Sequence, residues 1–100
     1  MSVYAEMLKM ALETDDQGDE TTSELISRAL TRRLDMECGG DAASRLARAL
    51  AYDVTLIRLC ERLGVEHDMT GPGAGPPARR HVERALAVRL PDLGAGLRQA

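Results

Sequence analysis

The sequence predicts an all-α fold, a small bundle of about four helices arranged around a long third helix. Apolar residues recur every three or four positions through most of the chain, and the segments between these runs are rich in Gly, Pro or acidic residues. The chain also has no Phe or Trp and only two Tyr. Its core must therefore be built mainly from aliphatic side chains, which pack readily between helices.

A first helix is predicted from about Val3 to Glu13, with Ser2 in position to cap it. Its apolar residues cover most of the circumference, and a helix of this kind requires neighbours on more than one side. Met7 and Met10 share the apolar side and could form an adaptable binding surface. The acidic run Thr14–Glu20 is predicted to be a solvated connector.

The second and third helices carry clear boundary signals. Thr21 and Glu24 have the spacing of a capping box, which predicts a helix that ends near Glu37, before two glycines. Asp41 is in position to cap a third helix of about 22 residues, and Gly64 is in position to end it. This third helix is the longest predicted element and the expected centre of the fold.

The C-terminal part of the chain is divided by glycines and prolines. Residues 65–77 are predicted to be a connector because they contain almost nothing to bury. A fourth helix is predicted over residues 78–90, ending before Pro91. Residues 91–100 are expected to form a flexible tail, although two leucines could dock one more turn. We therefore expect a single domain with a three-helix core in residues 1–64.

Asp53 is the most unusual residue of the pattern. It falls near the middle of the apolar arc of the third helix, where an unpaired charge would cost several kcal/mol. Arg33 lies on the apolar side of the second helix, but a simple hairpin would separate the two by about 10 to 12 Å along the axis. The alternatives are a crossed packing, backbone N–H groups at a helix N-terminus, or pairing across a subunit interface. Asp53 and Arg33 are thus the candidate buried polar or interface residues.

The charge is unevenly distributed. Residues 1–41 hold ten acids and four basic residues, a net charge of −6, whereas residues 42–100 hold nine arginines and six acids, a net charge of +3. The asymmetry favours either head-to-tail contact or an acidic partner, and its simpler interpretation is two solvated faces. Arginine stripes on the third and fourth helices raise the alternative of a DNA-binding regulator. The acidic total charge and the scarcity of aromatic residues weigh against nucleic acid as a partner.

The sequence offers little for catalysis or metal binding. Cys38 and Cys60 are too few for a disulfide framework, and Cys60 is expected to fill the core. Glu66–Asp68 and His81 resemble metal ligands by type, but their spacing matches no established zinc or calcium pattern. We expect no cofactor, no metal and no enzymatic activity.

The function expected from the sequence is a non-enzymatic, helical protein–protein interaction module, such as an adaptor or regulatory subunit. The apolar arcs of the first and third helices are wider than one neighbour would cover, which favours a homodimer, together with a further protein partner. The possible partner surface consists of Met7, Met10, Leu56, Leu59 and Leu63. The N-terminus lacks the basic start and apolar run of a signal peptide, so we expect a cytoplasmic protein without membrane contact.

Overall fold

The computed structural model describes residues 3–15 and 20–99, and every regular element in them is an α-helix. The five helices are α1 (Val3–Thr14), α2 (Thr22–Met36), α3 (Ala42–Leu63), α4 (Pro76–Arg89) and α5 (Pro91–Gln99). The all-α class is confirmed, and the described residues form five helices instead of about four. Ser2, the predicted cap of α1, and residues 16–19 of the acidic connector lie outside the described residues.

The predicted helix boundaries of α2 and α3 are confirmed by their caps. The hydroxyl of Thr21 accepts a hydrogen bond from the backbone N–H of Glu24 at 3.1 Å, and the Glu24 carboxylate accepts one from the Thr21 backbone at 3.3 Å. Asp41 accepts from the Ser44 N–H at 2.7 Å at the start of α3. Gly64 ends α3 in the left-handed conformation, with φ of 69°, which glycine adopts without steric cost.

The third helix lies at the centre of the fold, because α1, α2 and α4 all pack against it. Its buried residues are Tyr52, Asp53, Val54, Thr55, Leu56, Ile57, Leu59 and Cys60. Such a continuous buried run means that neighbours cover more than one side of this helix. The core also includes Val82 and Leu86 of α4. It therefore extends beyond the three helices of residues 1–64.

Residues 91–99, expected to form a flexible tail, instead form α5, which packs against α2 and α4. Pro91 both prevents α4 from continuing and begins the next helix, where its missing N–H has no cost. Leu93 is 0% exposed and belongs to the core, and Leu97 packs against that core. The two leucines therefore anchor a complete helix of nine residues.

The connector between α3 and α4 is also attached to the core. Met69 is buried, although the composition of this segment predicted almost nothing to bury. Met69 lies within the first of two tight turns, in which the Gly71 N–H donates to the Asp68 carbonyl at 3.2 Å; in the second, the Ala74 N–H donates to the Gly71 carbonyl at 3.1 Å. Met69 and the partly buried Val65 thus attach this segment to the core.

Within the described ranges, no helix combines the length and the apolar composition that a bilayer crossing requires.

Leu93→Ala tests whether α5 is part of the folded unit. We expect the free energy of unfolding to fall by about 2 to 4 kcal/mol, as for other buried leucines. The matched control is Val88→Ala on α4, because Val88 is 83% exposed and its truncation should change stability by less than about 0.5 kcal/mol. Urea unfolding followed by circular dichroism measures both. Equal, small effects of the two substitutions would mean that residues 91–99 are not docked.

Candidate functional site

The most distinctive site in the described chain is a buried cluster of three polar side chains, Tyr4, Asp53 and Arg79, which we call the Asp53 cluster. Asp53 is 0% exposed on the inward side of α3. Arg79, from the first turns of α4, donates from Nε to Oδ1 of Asp53 at 2.7 Å and from Nη2 to Oδ2 at 2.9 Å. This two-point contact is the strongest geometry available to a guanidinium and a carboxylate.

Tyr4 of α1 completes the cluster. Its hydroxyl donates to Oδ2 of Asp53 and lies 3.4 Å from Nη2 of Arg79, which donates to it. The phenol thus shares one carboxylate oxygen with the guanidinium, and three hydrogen bonds surround a charge that has lost its water. The contacts join α1, α3 and α4 at a single point.

A second cluster of the same composition lies beside the first, and we call it the Glu83 cluster. Tyr52, the residue before Asp53, donates from its hydroxyl to Oε2 of Glu83 on α4. Arg33 of α2 lies with Nε 3.4 Å from the same oxygen, an ion pair that lacks hydrogen-bond alignment. Its Nη1 also contacts Glu37 at 3.2 Å. This cluster joins α2, α3 and α4.

The two clusters have the same kinds of side chain and share the same pair of helices, α3 and α4. Tyr52 and Asp53 are adjacent on α3, and Arg79 and Glu83 are four residues apart on α4, which places them on the same face of that helix. The two helices therefore face each other with a Tyr–Asp pair opposite an Arg–Glu pair. Tyr4 and Tyr52 are the only aromatic residues of the chain, and both donate to a carboxylate in these clusters.

Burial and the neighbouring charges shift the protonation equilibria of both clusters. Burial, and then the hydrogen bond and charge of Asp53, raise the pKa of Tyr4. Burial, and then the hydrogen bond and charge of Glu83, raise the pKa of Tyr52 in the same way. Burial alone would lower the pKa of Arg79, but the hydrogen bonds and charge of Asp53 outweigh it and raise that pKa. The phenols are thus kept neutral and the guanidinium charged, which suits a structural ion pair.

No family model, curated protein or solved structure matches this chain.

The structure separates the two candidate polar residues. Asp53 pairs with Arg79 and Tyr4, whereas Arg33 belongs to the Glu83 cluster. The partner of Asp53 is Arg79 on α4. The sequence does not reveal this pairing directly, because the arginines of the fourth helix have the pattern of an exposed basic stripe. The sequence does contain one signal of this pairing. Arg79 and Glu83 are one helical turn apart, which is also the spacing of the apolar residues of α4 that face the core.

The possible partner surface is divided between interior and exterior. Leu56 and Leu59 are completely buried and Leu63 is partly buried, because α3 is covered by helices of its own chain. Leu56 and Leu59 are therefore inaccessible to a partner, whereas Leu63 remains partly accessible. Met10 is 66% exposed and Met7 is partly exposed.

Most arginines of the basic stripe on α3 bind helix ends. Arg58 donates to the Leu12 carbonyl at the end of α1 at 3.1 Å and to the Asp15 carboxylate at 3.1 Å. Arg48 donates to the Cys38 carbonyl after α2 at 2.8 Å, and Arg62 donates to the Glu20 carbonyl. On α4, Arg89 donates to the Leu63 carbonyl at the end of α3 at 3.1 Å. The cations at the C-terminal ends of α1, α2 and α3 satisfy free carbonyls and stabilise the helix dipoles, whereas Arg62 binds a carbonyl that precedes α2.

The other candidates from the sequence show no reactive arrangement. Cys60 is buried, and burial, followed by the charge of Glu61, raises the pKa of its thiol to about 11, which disfavours the nucleophilic thiolate. His67 accepts a hydrogen bond at Nδ1 from the Met69 N–H at 3.4 Å. Among the residues that the structure describes, no three His, Cys, Asp or Glu side chains are grouped so that they could hold a metal ion.

Asp53→Ala tests the Asp53 cluster. The substitution leaves the Arg79 guanidinium without its counter-charge, so we expect a loss of about 3 to 5 kcal/mol in the free energy of unfolding. Asp35→Ala, an exposed aspartate on α2, is the matched control and should cost less than about 0.5 kcal/mol. The double variant Asp53→Leu/Arg79→Met should recover most of the loss, because it removes both buried charges. A single-variant cost no larger than that of the control would refute the cluster's role.

The raised pKa values of Tyr4 and Tyr52 predict that the fold loses stability at high pH. An unfolded phenol releases its proton near pH 10, whereas the folded phenols retain theirs to higher pH. Above about pH 10 the unfolded state therefore binds fewer protons, and the free energy of unfolding falls as pH rises. We expect phenolate absorbance to appear together with the loss of helical circular dichroism. Phenolate formation near pH 10 in a chain that keeps its helices would contradict this assignment.

Proposed function

We propose that this chain is a non-enzymatic, helical protein–protein interaction module, an adaptor or regulatory subunit, that associates with itself through α1. The observation that carries the proposal is the exposure of apolar residues on that helix. Val3 is 76% exposed and Met10 is 66% exposed, with the partly exposed Met7 between them. Their spacing of four and three residues aligns them on one face, which we call the α1 stripe.

The position of α1 explains why this face remains open. Among the described helices, α1 packs mainly against α3 and contacts α4 through the hydrogen bond between Arg79 and Tyr4, so the flank that carries the stripe has no described neighbour. A second copy related by a two-fold axis would place stripe against stripe, and the same residues would then be covered on both chains. Methionine suits such a contact because its flexible side chain adapts to the facing surface.

The size of the stripe sets the strength of the association. A helix of 12 residues is about 18 Å long, so a pair of such helices buries less than the standard interface of about 1,600 Å². The proposed dimer therefore belongs to the weak, reversible class, which suits a module that exchanges its own copy for another helical partner. Cys38 and Cys60 are free thiols, which favours a reducing compartment such as the cytoplasm.

The chemistry of the buried clusters supports a non-enzymatic role. Their phenols, carboxylates and guanidinium groups are bonded to one another, and the raised pKa values of the tyrosines oppose proton transfer at neutral pH. The clusters are thus suited to holding helices in register.

Binding of duplex DNA is the second candidate, and α4 is the helix that favours it. Arg80 and Arg84 are exposed one turn apart on this helix and have no ion pair with any described residue. The α3 arginines give less support, because Arg48, Arg58 and Arg62 are bound to backbone carbonyls. A steep fall of duplex affinity with salt would be the mark of this second function.

Met10→Glu tests self-association. At about tens of micromolar, where weak dimers begin to form, light scattering of the natural chain should give a mass above the 10.9 kDa of one copy. The Met10→Glu variant should give the mass of one copy without loss of stability, because a charge in the α1 stripe opposes burial of that stripe in a dimer. Val88→Glu, at an exposed apolar position on α4, is the control and should leave the dimer intact. A natural chain that stays monomeric would refute the proposal.

A further inference from the structure

A cavity of about 380 Å³ lies where α2, α4 and α5 meet, far along the chain from the α1 stripe. One face of α4 and one face of α5 form its walls, and Arg33 of α2 forms its far side. Its volume is at the lower end of the range for sites of small organic ligands.

Close packing of α5 creates this cavity. A Cβ atom at Gly96 would lie only 2.4 Å from a methyl carbon of Leu30 on α2, so the absence of a side chain lets the two helices approach. Gly94 and Leu97 of α5 line the cavity beside Ala87 of α4, which Gly94 approaches closely. These three residues form a small apolar wall.

The remaining walls are cationic. Of the charged lining residues, Arg33 and Glu83 are paired with each other in the Glu83 cluster and neutralise one another. Arg80, Arg84 and Arg98 have neither an ion pair nor a side-chain hydrogen bond with the described residues. Arg80 and Arg84 are one turn apart on α4, and Arg98 approaches from α5. The cavity therefore has an excess of three positive charges and up to fifteen free N–H donors, at about five for each guanidinium.

We propose that this cavity binds a phosphate monoester with a small apolar body. Three guanidinium groups from two helices offer more donors than one carboxylate can accept, whereas a phosphate dianion has three terminal oxygens for them and carries two charges of the opposite sign. The wall of Ala87, Gly94 and Leu97 suits the organic part of the ligand. The natural source of the phosphate is a small molecule, because the cavity is concave and too small for a helical backbone.

The test uses the full chain and phenyl phosphate as the probe, titrated by calorimetry at constant ionic strength, since exposed charges are screened by salt. Saturable binding of one equivalent is expected, and Arg84→Gln and Arg98→Gln should each weaken it about tenfold, the usual effect of losing a hydrogen bond to a charged group. Arg45→Gln is the matched control, because Arg45 is exposed on α3 and is not part of the cavity lining. This variant should bind like the natural chain. Circular dichroism confirms that each variant is folded.

Two further measurements test the apolar wall of the site and distinguish a small phosphate monoester from nucleic acid as the ligand. Ala87→Leu fills the space beside the apolar wall, so it should weaken the binding of phenyl phosphate more than the binding of inorganic phosphate. Duplex DNA at the same salt concentration should bind no more tightly to the natural chain than to Arg84→Gln. The proposal is overturned if phenyl phosphate fails to saturate, if Arg45→Gln weakens binding as much as the cavity variants, or if duplex binding depends on Arg84.

Discussion

Asp53 carries a charge that the fold has removed from water, and the arrangement of three helices depends on how that charge is balanced. The Arg79 guanidinium bonds both carboxylate oxygens and the Tyr4 hydroxyl bonds one of them. An ion pair of this kind adds little net stability compared with apolar residues, because desolvation offsets most of the attraction. The ion pair instead restricts how the helices can pack. Any arrangement that moves α4 by a fraction of a turn leaves a buried charge without a partner. We infer that the cluster selects one arrangement of α1, α3 and α4 among many that aliphatic side chains would tolerate.

The arginines serve as the specific contacts of a core that has few aromatic residues. Leucine, alanine and valine fill volume but set relative helix positions only loosely, and large aromatic side chains are scarce in this chain. Guanidinium groups compensate because they bind in fixed directions. Arg32, for example, donates to the Ala51 carbonyl at 3.0 Å and the Thr55 hydroxyl at 2.6 Å, which joins α2 to the middle of α3. In the resulting fold, aliphatic side chains fill the core and polar contacts fix the relative positions of the helices.

The reach of sequence reasoning is set by the distance over which each signal acts. Helix caps are local, so Thr21, Asp41 and Gly64 could be recognised from neighbouring residues. The side of a helix that faces the core is likewise encoded in its own apolar positions. Asp53 can be recognised as a buried residue because it lies among the apolar positions of α3. The partner of Asp53 depends on how two helices cross, and that crossing is not encoded in either helix alone. The fifth helix was missed for a related reason: only nine residues long, it owes its stability to the burial of Leu93 by the rest of the chain.

The Asp53 cluster also orders events as the chain folds. Its members are separated by 49, 26 and 75 residues, whereas α2 and α3 are joined by a short turn and can meet early. During synthesis from the N-terminus, the first three helices are complete before Arg79 exists. Until that residue arrives, the Asp53 carboxylate must keep its water, and the groove on α3 that later receives α4 must stay open. We therefore expect the core to close only after the C-terminal third of the chain has been made.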